Sequence, residues 1–135
     1  MKTTLQAGVK HTARLEVTRD RTIDFMGEKA RVYATPALVR DIEQTCRDLL
    51  LEHLDAGEDS VGTRVEIDHL AASLLGMPIT LEVEISAVNK RAVTFTVTGS
   101  DGVDTICRAV HNRFVVDKAA TEQRLAEKAK KAGLA

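Results

Sequence analysis

Two side chains break otherwise apolar surfaces in this sequence. Glu43 falls within the edge of the hydrophobic arc of an amphipathic helix, and His69 falls on the apolar face of a strand further along the chain. Removing a carboxylate or an imidazole from water without a partner is costly. A half-desolvated carboxylate has its pKa raised and can share a proton with a neighbouring imidazole, which is the raw material of acid/base chemistry. From periodicity alone a plainer assignment stands beside that one: Glu43 reaching solvent from the edge of the arc, and His69 a satisfied core histidine.

The elements that must position these groups are legible. At about 100° per residue, Leu38, Val39, Ile42, Cys46, Leu49, Leu50 and His53 share one arc, with Arg40, Asp41, Gln44, Arg47, Asp48 and Glu52 opposite. Thr35-Pro36 supplies a hydroxyl for the N-cap and a proline for the first helical position, and the helix is expected to end before Gly57. Period-two alternation puts Val61, Val65, Ile67 and His69 on one strand face against Arg64, Glu66 and Asp68. The same alternation marks strands around Leu81-Val83-Ile85 and Val93-Phe95-Val97, with further strands at 9–17 and 104–116. Turns fall at Val88-Asn89-Lys90-Arg91 and Ser100-Asp101-Gly102. The polar stretch 18–31 reads as a loop or short helix able to act as a lid, and 118–131 as an exposed helix. The order is strand, loop, long helix, then four antiparallel strands: an α+β domain with the helix packed on one sheet face. Residues 1–117 make the domain, and 118–135 a helical tail belonging to it.

Composition narrows the function classes. The 135 residues suit one core. Nineteen lysines and arginines against 20 aspartates and glutamates give no bulk charge for nucleic acid, and no apolar run is long enough for a bilayer. Met1-Lys2-Thr3-Thr4 leads into a mixed segment rather than a signal-peptide core, so a cytoplasmic location is expected. Cys46 and Cys107 match neither a metal spacing nor a disulfide framework and read as small buried residues; no metal site is expected.

Val32-Tyr33-Ala34-Thr35-Pro36, Glu43 eight residues after Thr35, Leu54 to Thr63, His69-Leu70-Ala71-Ala72 and Asp101-Gly102-Val103-Asp104 together resemble the fluoroacetyl-CoA thioesterase family of hotdog-fold proteins. The resemblance covers nearly the whole chain apart from the C-terminal tail. It implies a hotdog fold, in which a curved antiparallel sheet wraps a long central helix, a homodimer with sites near the subunit interface, and hydrolysis of an acyl-CoA thioester. Coenzyme A is then part of the substrate, and no separate cofactor is implied.

Carried over residue by residue, the family's catalytic threonine, glutamate and histidine fall on Thr35, Glu43 and His69. The glycine that approaches the thioester carbonyl falls on Gly62, and a strand arginine associated with the site falls on Arg113. Glu43 would attack the carbonyl or activate water, His69 would donate or orient a proton, Thr35 would hydrogen-bond the carboxylate or the water, and the Gly62 N–H would face the oxyanion. Other readings of these residues stay open: Thr35 as an N-cap, Gly62 as a turn or bulge residue, Arg113 paired with a surface acid. His11, His53 and His111 have no matched role. Where fluoroacetyl-selective members are aromatic, this chain reads Phe25-Met26-Gly27-Glu28-Lys29-Ala30-Arg31-Val32-Tyr33, which points to another short acyl group. The alternative from a different class is a non-catalytic acyl-CoA or small-molecule binding dimer on the same fold.

Overall fold

The computed structural model describes residues 1–135. Strand β1 (Lys10–Glu16) precedes helix α1 (Thr35–Leu51), followed by β2 (Glu58–His69), β3 (Pro78–Asn89), β4 (Ala92–Ser100), β5 (Thr105–Asp117) and helix α2 (Lys118–Lys131). The strands form one antiparallel sheet in the order β1-β3-β4-β5-β2. This is the expected α+β hotdog arrangement, with β2 beside β5 rather than beside its sequence neighbour β3.

Alternation decides which face is buried. Ile79, Leu81, Val83 and Ile85 of β3 and Val93, Phe95 and Val97 of β4 point inward, and the intervening residues are half-buried or exposed. Against them α1 lays Leu38, Ile42, Cys46, Leu49 and Leu50, all buried. Each fully buried leucine or isoleucine contributes about 1.5–3 kcal/mol of transfer free energy, so this face fixes the helix on the sheet. Lys90-Arg91 closes the β3–β4 hairpin, with Lys90 in the left-handed region at φ 56°.

Of the departures from the alternation and capping rules, two shape the site. Gly62 pairs with Arg113 and Arg64 with Asn112, so Thr63 is an extra residue in β2. This bulge reverses the parity of the strand. Ser60 and Gly62 thereby share the inner face with Val65, Ile67 and His69, whereas Val61, expected there, lies outside opposite Phe114 and is largely exposed. At the start of α1 the N-cap is Ala34, not Thr35, and no side chain caps the helix. Thr35 sits one position inside, with Pro36 in the first turn where its missing N–H costs nothing.

The segment from 18 to 34 is folded rather than loose. It carries short 3-10 turns at Arg19–Arg21 and Glu28–Ala30, and a bridge between Thr22 and Tyr33. Glu28 receives guanidinium groups from Arg19 and Arg31, which hold its carboxyl at about pKa 2. Arg21 and the Tyr33 hydroxyl both donate to Asp41 of α1, pinning the segment to the helix. Helix α2 is capped by the Asp117 carboxylate accepting from the Ala120 N–H at 2.9 Å, ends in Lys128, Lys130 and Lys131, and buries no residue. No helix is long and apolar enough to cross a membrane.

Candidate functional site

Helix α1 runs alongside β2 in the opposite direction, as three contacts show: Thr35 with His69, Glu43 with Gly62, and Arg47 with Asp59. Of the five residues singled out in the sequence, Thr35 and Glu43 lie on α1, Gly62 and His69 on the edge strand β2, and Arg113 on the adjoining strand β5. They form two groups.

The first group lies at the start of α1. With the cap taken by Ala34, the Thr35 hydroxyl is free and lies 2.7 Å from Nδ1 of His69. His69 ends β2 opposite Cys107, on the inner face. Its ring stands edge-on to buried Tyr33 at a centroid distance of 6.4 Å, and burial lowers its pKa, so the imidazole is neutral at pH 7. Its Nε2 is buried and has no hydrogen-bond partner. A cleft of about 360 Å³ opens here, lined mainly by apolar groups including Ile23, Val32, Tyr33 and Leu70 around Thr35 and His69. The space suits a short acyl chain with a polar reacting end.

The second group lies two turns further along the helix. The Glu43 carboxylate packs on Gly62 so closely that a Cβ there would fall inside van der Waals contact with Oε1, and would come within 3.3 Å of His111 Cε1 and 3.5 Å of Arg113 Nη1. Gly62 is thus required for close approach of the carboxylate to the strand backbone. Arg113 lies with Nη1 4.0 Å from Glu43 Oε1. The acid it faces is Glu43 itself, whose side chain is 42% exposed; the guanidinium is otherwise buried, its Nε donating to Ser60 Oγ at 2.7 Å and its Nη2 to the Ser60 carbonyl at 2.8 Å. Burial pushes its pKa down, yet a guanidinium stays charged at any physiological pH. Glu43, Arg40, Gln44, Arg47, Gly62 and Arg113 are among the residues around a second cleft of about 350 Å³. Arg47 is engaged by Asp59, while Arg40 has no acid within 4.0 Å.

Sequence periodicity expects Glu43 and His69 to enter one layer together. Within one protomer they line separate clefts. Eight helical residues separate Thr35 from Glu43, about 12 Å of rise, and seven strand residues separate Gly62 from His69, about 23 Å if fully extended. The structure therefore joins Thr35 to His69, and Glu43 to Gly62 and Arg113, without closing the two sets around one cavity. Residue type and spacing do not single out Ser60, Arg40 or His111 as site residues. For His111 a signal existed, since it shares its strand face with Arg113 two residues on. The cysteines play no part as nucleophiles: burial pushes the Cys46 thiol up to about 12 and Cys107 to about 11. Arg91, at a basic turn that could attract phosphate, faces Glu58 at 3.6 Å and the Val115 carbonyl.

Comparison with known proteins supplies the family context. A family model described as fluoroacetyl-CoA-specific thioesterase matches residues 17–119. The fluoroacetyl-CoA thioesterase of Streptantibioticus cattleyicolor is 29% identical over 123 residues, 86% of this chain and 88% of that protein. Among solved structures, the fluoroacetyl-CoA thioesterase FlK superposes with a TM-score of 0.83 at 26% identity, covering 92% of this chain and 97% of its own. A mutant of FlK in complex with fluoroacetate and CoA gives 0.80 at 27% identity, covering 87% and 99%. A Thermus thermophilus hypothetical protein of the thioesterase superfamily gives 0.84 at 26%, covering 96% and 98%.

Proposed function

The chain belongs to the fluoroacetyl-CoA-specific thioesterase family, hotdog-fold thioester hydrolases that act on acyl-CoA, and on that premise we propose that it cleaves a short acyl-CoA thioester to the free acid and coenzyme A with Thr35, Glu43 and His69. The observation that carries the residue assignment is the seat of Glu43. A helix carboxylate rests against a side-chain-free strand residue beside a buried, charged guanidinium, where a planar thioester can lie within reach.

The steps follow from the groups. Glu43 acts as an anion, either adding to the carbonyl or taking the proton of the attacking water. The Gly62 N–H, beside a bulge where the strand ladder is disrupted, faces the oxyanion. The Thr35 hydroxyl donates to His69 Nδ1, which leaves the proton on Nε2, the buried ring atom without a partner, to meet the thiolate as it departs. Direct addition expels the CoA thiolate and leaves a mixed anhydride that water must open, so in single turnover in H₂¹⁸O label in the Glu43 carboxylate arises only by direct addition with water attacking the Glu43 carbonyl, whereas water activation leaves Glu43 unlabelled; trapping the anhydride with hydroxylamine detects the covalent route whichever carbonyl water attacks.

The substrate is an acyl-CoA whose acyl group is small and need not be fluorinated. Phe25, the aromatic residue of the 18–31 stretch, is 78% exposed and does not line the cleft, leaving aliphatic groups and Tyr33 to contact the acyl chain. Unpaired Arg40 leaves positive charge beside Glu43, which suits a polyanionic substrate.

A homodimer completes the site in this reading. Strand β2 is a twelve-residue edge strand with one buried residue, Ser60. Edges of that length are normally covered. Antiparallel pairing of two β2 strands about a two-fold axis between Val65 and Glu66 sets position 62 of one copy opposite position 69 of the other, which unites the two half-sites. A cytoplasmic location belongs to the same proposal, supported by two buried free thiols that fit a reducing compartment. Incubation with a panel of short acyl-CoA thioesters, with free thiol followed, tests the activity. Turnover that disappears in folded Glu43→Ala and His69→Ala supports it. Binding without turnover across the panel establishes a non-catalytic binding dimer instead.

A further inference from the structure

The cation beside Glu43 does not stand alone. Arg113 spends Nε and Nη2 on Ser60, and its Nη1 lies 3.2 Å from Nε2 of His111. On the opposite side of the ring, His111 Nδ1 is 2.8 Å from the Arg64 carbonyl. A carbonyl only accepts, so Nδ1 carries the proton and Nε2 presents its lone pair to the guanidinium, which only donates. The ring is fully buried and stacks on Phe95 at 6.3 Å. One imidazole thus ties the arginine that faces Glu43 to the residue that ends the β2 bulge, and the bulge sets the direction of Gly62.

Resting on the thioesterase reading above, we propose that His111 is a positioning residue of this site, its Nδ1–H tautomer holding Arg113 beside Glu43 and fixing the Gly62–Arg64 bulge. It touches neither substrate nor reacting atoms. The groups facing it are Arg113 on its own strand, Glu43 from α1, the Arg64 carbonyl from β2 and the apolar Phe95 from β4; Cys46 and Arg47 of α1 and Asp59 of β2 act on it through Arg113. Protonation turns Nε2 into a donor pointed at another donor and releases the clamp. Burial and the neighbouring Arg113 charge lower the pKa of the ring, the Arg64 carbonyl and Glu43 oppose that shift, and the net direction is downward. The clamp is accordingly intact at neutral pH and is released only as pH falls below the ordinary histidine range.

The test is a pair of substitutions assayed on the best acyl-CoA of the panel. His111→Leu keeps the volume apolar and strands the guanidinium proton. His111→Gln offers an amide oxygen to Arg113 and an N–H to Arg64, and does not titrate. His111→Leu is expected to lower kcat by about 10- to 100-fold with KM changed by less than about three-fold, the pattern of lost transition-state alignment. His111→Gln is expected to regain most of that loss and to remove the His111 contribution from the acid limb of the pH–rate profile. If His111→Leu fails to fold, as judged by circular dichroism, Ser60→Ala takes its place, removing the Nε acceptor alone with the same expected fall in kcat. A folded His111→Leu or Ser60→Ala with wild-type kcat overturns the proposal, and so does a folded His111→Gln that recovers none of the kcat lost in His111→Leu. An inactive wild type across the panel instead removes the thioesterase reading itself, a result distinct from an active wild type indifferent to position 111.

Discussion

The Thr35 hydroxyl lies 2.7 Å from Nδ1 of His69, and it reaches that atom because Ala34, not Thr35, occupies the N-cap of α1. A capping threonine would spend its oxygen on a backbone N–H of the first turn. Here the hydroxyl is available to set the imidazole tautomer. Thr35→Ala should therefore behave unlike the loss of a cap. Its effect on thermal stability should fall below the roughly 1 kcal/mol typical of a lost cap, while kcat should fall about 10- to 100-fold. Thr35→Ser should retain most activity. A melting-temperature series with steady-state kinetics checks this; a large stability loss in Thr35→Ala with activity preserved would return the residue to a structural role.

Gly62→Ala tests the seat of Glu43. The added methyl meets the far end of a flexible side chain rather than backbone, so the carboxylate swings away and the fold survives. The expected outcome is a well-folded protein whose kcat is reduced by about 100-fold or more, since a misplacement near 1 Å is enough for that. A crystal structure of the variant should show Glu43 turned from the strand. Wild-type kcat in Gly62→Ala would remove the close approach from the mechanism.

Acid should weaken both the fold and the reaction. His111 is buried and His69 half-buried, and desolvation lowers the pKa of each below the ordinary 6.5. Between the folded and unfolded values the unfolded chain binds more protons, so stability rises with pH. The contribution is complete above about 6.5 and drains away as pH falls toward the folded values. Chemical denaturation from neutral pH into acid should show this slope, reduced in His111→Gln. Activity should fall on the same side, because Glu43 must be an anion. A rate independent of pH from acid through neutrality would count against the assignment of Glu43.

The sequence made some of this legible and hid the rest for physical reasons. Strand β4, and β3 as far as Ile85, follow a period of two, so Leu81, Val83, Phe95 and Val97 follow from the sequence alone. The inward position of His69 followed from the same rule. Val61 did not, because one extra residue at Thr63 inverts the parity of the strand before it; Gly62 could be read as a bulge residue, but its type does not say whether or where an extra residue enters the strand. Thr35-Pro36 carried capping chemistry in its residue types, yet the cap moved back by one because the tie between Tyr33 and Asp41 fixes where the chain enters the helix. The Ser60–Arg113–His111 cluster joins β2 to β5 across more than fifty residues for its arginine–serine link. Hydrogen bonds of that range have no periodicity to betray them.

The separation of the two half-sites makes the strongest demand on the proposal. If each site draws Thr35 and His69 from one copy and Glu43, Gly62 and Arg113 from the other, Glu43→Gln and His69→Ala variants are inactive as pure dimers but complement each other when mixed. One of the two sites in a mixed dimer then combines the intact Glu43 of the His69 variant with the intact His69 of the Glu43 variant; the other carries both defects. Random exchange at equal concentration makes half of all dimers mixed, so recovered activity should approach about a quarter of the wild-type value. Unfolding and refolding the mixture, or co-expression with two tags, allows the exchange. Size-exclusion chromatography with light scattering should show a dimer that Val65→Pro, on the free β2 edge, weakens or abolishes. Mixed dimers that stay inactive while each variant is folded would mean that both halves must be supplied by a single copy, and the pairing of β2 edges would no longer explain how the clefts meet.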